Sequence, residues 1–352
     1  QAAAIVNGNA LRIDWESVVP KHELSFILGN PPFSGARLMN PEQKEDMGLI
    51  FGDTKGVGNL DYVTAWYKKA ADYIAHTRIS VAFVSTNSIS QGEQVAILWK
   101  PLIEESKIII DFGYRTFKWS NEAKGKAAVH CVIVGFSAYD RKKSRYIFES
   151  DGTVNLATNI NPYLVNADNI FVANSSSALC NVPAINYGSF ALDDGAYTID
   201  EDEYNIIIQQ DENCQQFLRP FIGARELLHS EKRYCVWLKN VNPKSMQSSP
   251  VIMEKVKKVK DWRSKSNRKN TVELAKTPTL FAEIRQPETP YLAIPTVCSE
   301  KRNYIPIMFL SPEIIASNQL YIVSNATLYH FGVLTSNIHM AWMRAVCGRL
   351  EM

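Results

Sequence analysis

Asn30-Pro31-Pro32-Phe33 is the stretch of this sequence whose residue types do chemistry together. An exocyclic amine on a heteroaromatic base is a poor nucleophile, because its lone pair is delocalised into the ring. Two acceptors aimed at its two N–H bonds favour a more tetrahedral nitrogen with a localised lone pair. The Asn30 side-chain oxygen and the Pro31 carbonyl can supply both. Pro32 fixes the direction of that carbonyl and brings no competing N–H. Phe33 offers a π-face for the base. The lone pair then attacks a methyl group in line, and positioning and electrostatics carry the rate without a strong base. A base inside a duplex cannot be reached this way and must be flipped out. The alternative use of two consecutive prolines is a rigid turn with no chemistry.

Such a quartet needs a strand to aim it. Leu24-Ser25-Phe26-Ile27-Leu28 is a short apolar run that stops at Gly29-Asn30-Pro31-Pro32, which predicts a buried strand. The segment from Leu60 to Ile74 places Leu60, Val63, Tyr67, Ala70, Ala71 and Ile74 on one helical face. Ile79 to Val84, Lys107 to Phe112 and Ala128 to Phe136 read as three further strands. Strands alternating with helices predict an α/β sheet that binds ligands at its carboxyl edge. Residues 151–190 turn to Asn, Ser and Gly and read as a connection. Asp200-Glu201-Asp202-Glu203 predicts an acidic helix start. Beyond it, β-rich runs (Tyr234 to Leu238, Tyr291 to Ile294, Ile305 to Leu310, Gln319 to Val323) surround a charged stretch at 254–276.

Charge divides the chain. Residues 1–145 carry 18 Lys+Arg against 15 Asp+Glu, residues 146–218 none against 11, and residues 219–352 carry 20 against 10. The basic last third suggests a polyanionic partner, and the acidic middle would lie away from it. Lys255, Lys257, Lys258, Lys260, Arg263, Lys265, Arg268 and Lys269 fall within fifteen residues and suit phosphate contacts, or else a solvated face. Glu283-Ile284-Arg285-Gln286 and Glu300-Lys301-Arg302-Asn303 have the composition of base-edge readers, or of surface ion pairs. Glu283 and Arg285 would face the same way on a strand. The six cysteines show no CxxC spacing and the six histidines no HxH or HxxxH pair, so no metal site is expected. Scattered thiols read as reduced residues of a cytoplasmic protein. No apolar run is long enough to span a membrane, and the start has no signal-peptide pattern.

Asn30-Pro31-Pro32-Phe33 resembles motif IV of the amino-methyltransferases that use S-adenosylmethionine. Gly35-Ala36-Arg37, Leu60-Asp61-Tyr62-Val63-Thr64-Ala65-Trp66-Tyr67, Ser85-Thr86-Asn87-Ser88-Ile89 and Gln91-Gly92-Glu93-Gln94 resemble the MmeI-type single-chain restriction–modification enzymes. So do Phe221-Ile222-Gly223-Ala224-Arg225-Glu226 and Tyr329-His330-Phe331-Gly332-Val333-Leu334-Thr335-Ser336. The resemblance runs from near residue 10 to the end. It implies a DNA adenine-N6 methyltransferase whose partner is double-stranded DNA.

The implied fold is α/β: a partial Rossmann-like class I methyltransferase sheet followed by an α+β target-recognition domain. The implied plan is the C-terminal part of the catalytic domain at 1–150, a connection at 151–190, the recognition domain at 191–340 and the start of a helical segment at 341–352. Asp14-Trp15 resembles motif III, where an acid accepts from the donor's adenine amine. Phe117 resembles the motif VIII aromatic that packs on the flipped base, with Trp119 as the alternative. Lys257, Lys258, Lys260, Arg263, Lys265, Glu283, Arg285, Lys301 and Arg302 are the implied DNA contacts. The Gly-rich motif I has no counterpart before Asn30, so the donor site is expected to be incomplete here, and a nuclease is expected in the same parent chain. Two other readings stand beside this one. A protein glutamine methyltransferase shares the Asn-Pro-Pro-aromatic motif but has no basic recognition domain, and a DNA-specificity module would bind without catalysis.

Overall fold

The apolar run before the two prolines forms β1 (Phe26–Gly29) in the computed structural model, which describes residues 3–119, 129–140, 144–299 and 301–348. Pro31 and Pro32 cannot donate to a ladder, so the strand ends there. The chain then forms α1 (Pro41–Phe51), capped by Asn40 and Gln43, and α2 (Thr64–Tyr73). Next come β2 (Ser80–Thr86), α3 (Gly92–Glu104), β3 (Ile109–Trp119), β4 (Val129–Ser137), β5 (Arg145–Phe148) and β6 (Val154–Ala157). These six strands make one mixed sheet in the order β1-β2-β4-β3-β5-β6. It is α/β, with β1 parallel to β2 and β3 parallel to β5.

One face of this sheet is the core of the first unit. Leu60, Val63, Tyr67, Ala70, Ala71 and Ile74, read from sequence as one helical stripe, are all fully buried, although only Tyr67, Ala70 and Ala71 lie within α2, because the turn at 61–63 comes before the helix. Tyr67 stacks on Phe136 with centroids 5.4 Å apart, and its hydroxyl meets Ser85 Oγ at 2.6 Å. Trp99 of α3 is fully buried and donates its indole N–H to the Ile89 carbonyl. Burying side chains of this size contributes about 1.5–3 kcal/mol each.

The expectation of a buried β1 needs correcting. Phe26 is 61% and Leu28 75% exposed. β1 is the outermost strand, and its Phe26–Leu28 face opens into a shallow hollow shared with Ala82, Phe112, Tyr146 and Phe148. An apolar run without polar alternation reports a strand's composition, not whether both faces are covered. β3 also outruns its apolar stretch, because β4 pairs with it as far as Trp119.

The chain folds as two compact units, 1–176 with 342–352 and 177–341. The second begins with β7 (Ile185–Tyr187), β8 (Thr198–Asp200), α4 (Glu201–Gln210), β9 (Leu218–Ile222), α5 (Ala224–His229) and β10 (Arg233–Val236). It continues with α6 (Pro243–Gln247), α7 (Pro250–Ser264), α8 (Lys269–Glu273), β11 (Tyr291–Pro295), β12 (Met308–Leu310), β13 (Ile315–Ala316) and β14 (Leu320–Ser324). α9 (Leu328–Leu334) and α10 (Asn337–Val346) follow. Two four-stranded sheets form, β13-β9-β10-β8 and β12-β11-β14-β7. The acidic helix start appears as read: Asp200 caps α4 by accepting from the Glu203 N–H at 2.8 Å. The run at Ile305 yields only the short β12. No helix among the described residues is long and apolar enough to cross a membrane.

Candidate active site and nucleic-acid interface

β1, β2 and β3 run in the same direction, since β2 and β3 are both antiparallel to β4. Their carboxyl ends therefore share one edge of the sheet. Asn30 follows β1, Asn87 follows β2, and Phe117 and Trp119 lie in the last turns of β3. Asn30 is exposed, Pro31 is buried beneath it, and Phe33 is half-buried against the core. The Asn30 amide makes no hydrogen bond within the described residues, which leaves its oxygen available as an acceptor. Gly29 suits its place, since a side chain there would press on the Phe83 ring at 3.2 Å. A one-residue irregularity falls between Tyr114 and Phe117, and such bulges re-aim the side chains that follow. Phe117 stands half-buried opposite Cys131, edge-on to Tyr114 at 5.3 Å, with Trp119 more exposed at 6.2 Å.

Asp14 and Trp15 lie in the segment that leads to β1. Asp14 is exposed and caps a short 3-10 turn through the Glu16 N–H. Trp15 packs edge-on to Tyr73 at 5.6 Å and donates its indole N–H to the Ala10 carbonyl. An exposed carboxylate beside a packed indole suits the adenine end of a nucleoside donor: an acceptor for an amine next to an apolar surface. Lys69 of α2 fixes the segment by donating to the Leu11 and Ile13 carbonyls at 2.8 and 2.6 Å, and burial lowers its ammonium pKa.

In the second unit, α7 carries most of the basic cluster. Lys257, Lys258, Lys260 and Lys265 are exposed. Lys258 pairs with Glu254, and Lys255 turns inward to Glu203 and the Ala196 carbonyl. Lys265 lines a shallow hollow together with Asp193, Asp194 and Asp261. Lys257 and Lys260 have no ion pair among the described residues, so their charge is the least spoken for. Arg263 is a correction. It is fully buried, and its guanidinium donates to five backbone carbonyls: Leu192, Leu274, Thr277, Ala191 and Leu280. No donor is left for a phosphate. Glu283 and Arg285 do not lie on a strand: Glu283 makes an isolated bridge to Phe190, and the two side chains pair with each other while partly exposed. Arg285 also donates to the Gly188 carbonyl. Lys301 and Arg302 are exposed on a loop anchored by Ser299, and Glu300 lies outside the described residues.

Comparison with known proteins matches residues 1–149 to the MmeI DNA-methyltransferase domain and 166–352 to the MmeI target recognition domain. The chain belongs to the MmeI family. DNA methyltransferase A of Bacillus subtilis (strain 168) is 39% identical over 345 residues, which is 97% of this chain and 39% of that protein. A solved structure described as the Type IIL restriction–modification enzyme MmeI in complex with DNA superimposes with a TM-score of 0.88. It is 41% identical and aligns with 99% of this chain, which spans 47% of it. The chain thus spans less than half the length of these relatives.

Within this MmeI-type methyltransferase domain, sequence reasoning passed over two buried acids that hold the candidate site together. Asp46 of α1 accepts from Asn9 Nδ2, Arg12 Nε and the Tyr62 hydroxyl at 2.9, 2.7 and 2.6 Å. Burial raises its pKa, and those three hydrogen bonds outweigh burial and hold the carboxyl below its ordinary range. Asp46 so ties the Asp14 segment to the helices behind the Asn30 loop. Asp61, 6% exposed, does the same for the loop itself. The available signal was the isolated acid inside an apolar run, Leu60-Asp61-Tyr62-Val63. Buried acids persist only where donors surround them. Among the described residues no group of His, Cys, Asp or Glu could hold a metal ion.

Proposed function

We propose that this chain is the base-handling part and the DNA-reading domain of an enzyme that methylates the N6 amine of a flipped adenine, using S-adenosylmethionine. The observation that carries the reading is an exposed Asn30 amide, unpartnered among the described residues, on two prolines at the carboxyl end of a parallel strand, on the same sheet edge as Phe117. Asn30 Oδ1 and the Pro31 carbonyl accept from the two amine hydrogens and localise the lone pair. Phe33 and Phe117 supply aromatic surface for the base. Asp14, with Trp15 beside it, would accept from the donor's adenine amine. When bound, the donor supplies an electrophilic sulfonium methyl. The direct test incubates the whole protein with labelled donor and duplex DNA and analyses the nucleosides. Label in N6-methyladenine is expected. Label in another base, or in protein glutamine, overturns the reading.

Lys257 and Lys260 are the phosphate contacts we expect first, because α7 turns Ile252, Val256, Val259 and Arg263 inward and leaves these two lysines exposed and without an ion pair among the described residues. Replacing both with alanine is expected to weaken binding to all duplexes alike. The plot of log affinity against log salt should flatten by about one unit per lost contact. A salt series on cognate and single-mismatch duplexes checks this. An unchanged slope makes the pair a solvated face. Glu283 and Arg285, as base readers, would have to exchange their mutual pair for base edges. Their replacement should relax discrimination at one base pair by about 1–3 kcal/mol with little change in slope.

A further inference from the structure

Three of the sequence segments that carry the family resemblance converge on one carboxylate, which belongs to a fourth. Asp61 Oδ1 accepts from the Ala36 N–H at 3.2 Å and from Gln94 Nε2 at 3.1 Å. Its Oδ2 accepts from the Thr86 hydroxyl at 2.9 Å. The Asp61 N–H donates to Gln94 Oε1 at 3.2 Å, so the Asp61–Gln94 contact is reciprocal. The next residue, Tyr62, donates its N–H to the Ser34 carbonyl at 2.9 Å. The partners are the loop that follows Asn30-Pro31-Pro32-Phe33, the end of β2 just before Asn87, and the first turn of α3.

That loop has no strand or helix from Asn30 to Asn40, and its two prolines remove backbone donors that would otherwise tie it down. Its position therefore depends on few bonds, and the Ser34–Tyr62 and Ala36–Asp61 bonds fall just after Phe33. We propose that Asp61 is the positioning residue of the active site: it locks the Asn30–Phe33 loop to β2 and α3, and it touches neither base nor donor. The proposal rests on the methyltransferase reading above. A loop that drifts by about 1 Å moves both acceptors off the amine, which costs on the order of 100-fold in rate.

The test compares the whole protein with Asp61→Ala, Asp61→Asn and Leu98→Ala, the last emptying a fully buried apolar site on α3 that makes no hydrogen bond to the loop. All are assayed well below their melting temperatures. Asp61→Ala is expected to slow single-turnover methyl transfer about 100-fold at saturating donor and DNA, with duplex affinity nearly unchanged. Asp61→Asn keeps an acceptor for Ala36 and Gln94, and the Thr86 oxygen can accept from its amide. It should recover all but about tenfold of the rate. If Leu98→Ala slows transfer as much as Asp61→Ala for the same loss of melting temperature, or if Asp61→Asn rescues nothing, the positioning role is wrong. Amide exchange reads the anchor without chemistry. Faster exchange across residues 34–37 in Asp61→Ala than in Leu98→Ala supports it, and equal exchange overturns it. A wild-type protein that transfers no methyl group to DNA refutes the functional reading, and the exchange result still decides the anchor.

Discussion

Asn30→Ala is expected to lower methyl transfer by about 10²–10³-fold, the loss typical of removing one preorganised transition-state hydrogen bond. The Asn30 amide has no structural partner among the described residues, so its removal should leave the fold intact. Duplex affinity should hold to within about threefold, because phosphate contacts dominate such affinity and the ones proposed above do not include Asn30. Methyl incorporation and gel-shift affinity therefore separate in this variant. Asn30→Asp retains an acceptor oxygen and should fall between wild type and alanine. Parallel loss of binding and transfer would show that Asn30 shapes the loop rather than the chemistry. A melting temperature well below wild type would say the same.

What the sequence made legible follows from local physics. Two prolines after an apolar run stop a strand wherever it lies, so the Asn30 turn could be placed without knowing its neighbours. The stripe from Leu60 to Ile74 has a helical period and all six of its residues are buried, but the helix itself spans only Thr64–Tyr73: Val63 and Ile74 cap it, and Leu60 before it is extended. Coverage of a face is a tertiary property, and Phe26 and Leu28 carry no mark of their exposure. The bulge before Phe117 was equally hidden, since pairing with β4 creates it. The bonds of Asp46 and Asp61 reach partners between 16 and 37 residues away in sequence, beyond any local window. Arg263 is a different failure. Counting Lys and Arg within fifteen residues treats charge as exposed. The helical period placed Arg263 with Ile252, Val256 and Val259 on the buried stripe, and that period was available in the sequence.

Arg263→Met should therefore destabilise the second unit rather than weaken a DNA contact. The guanidinium presents five N–H donors in a fixed fork, and all five are used on carbonyls of two segments, 191–192 and 274–280. Burial lowers its pKa, but from so high a starting value that it stays charged. Methionine fills similar space and supplies no donor, so several buried carbonyls lose their partner at once. Each buried carbonyl left without a donor costs about 1–3 kcal/mol, so the combined loss is on the order of several kcal/mol. For a unit of this size that is a drop in melting temperature on the order of 10 °C or more. Arg263→Lys should fare little better, because one ammonium cannot reach five carbonyls spread around a planar fork. Lys260→Met on the exposed face of the same helix is the control. It should melt as wild type does and shift the salt dependence of binding. If Arg263→Met instead melts like wild type and flattens the salt slope by about one unit, the side chain reaches phosphate after all.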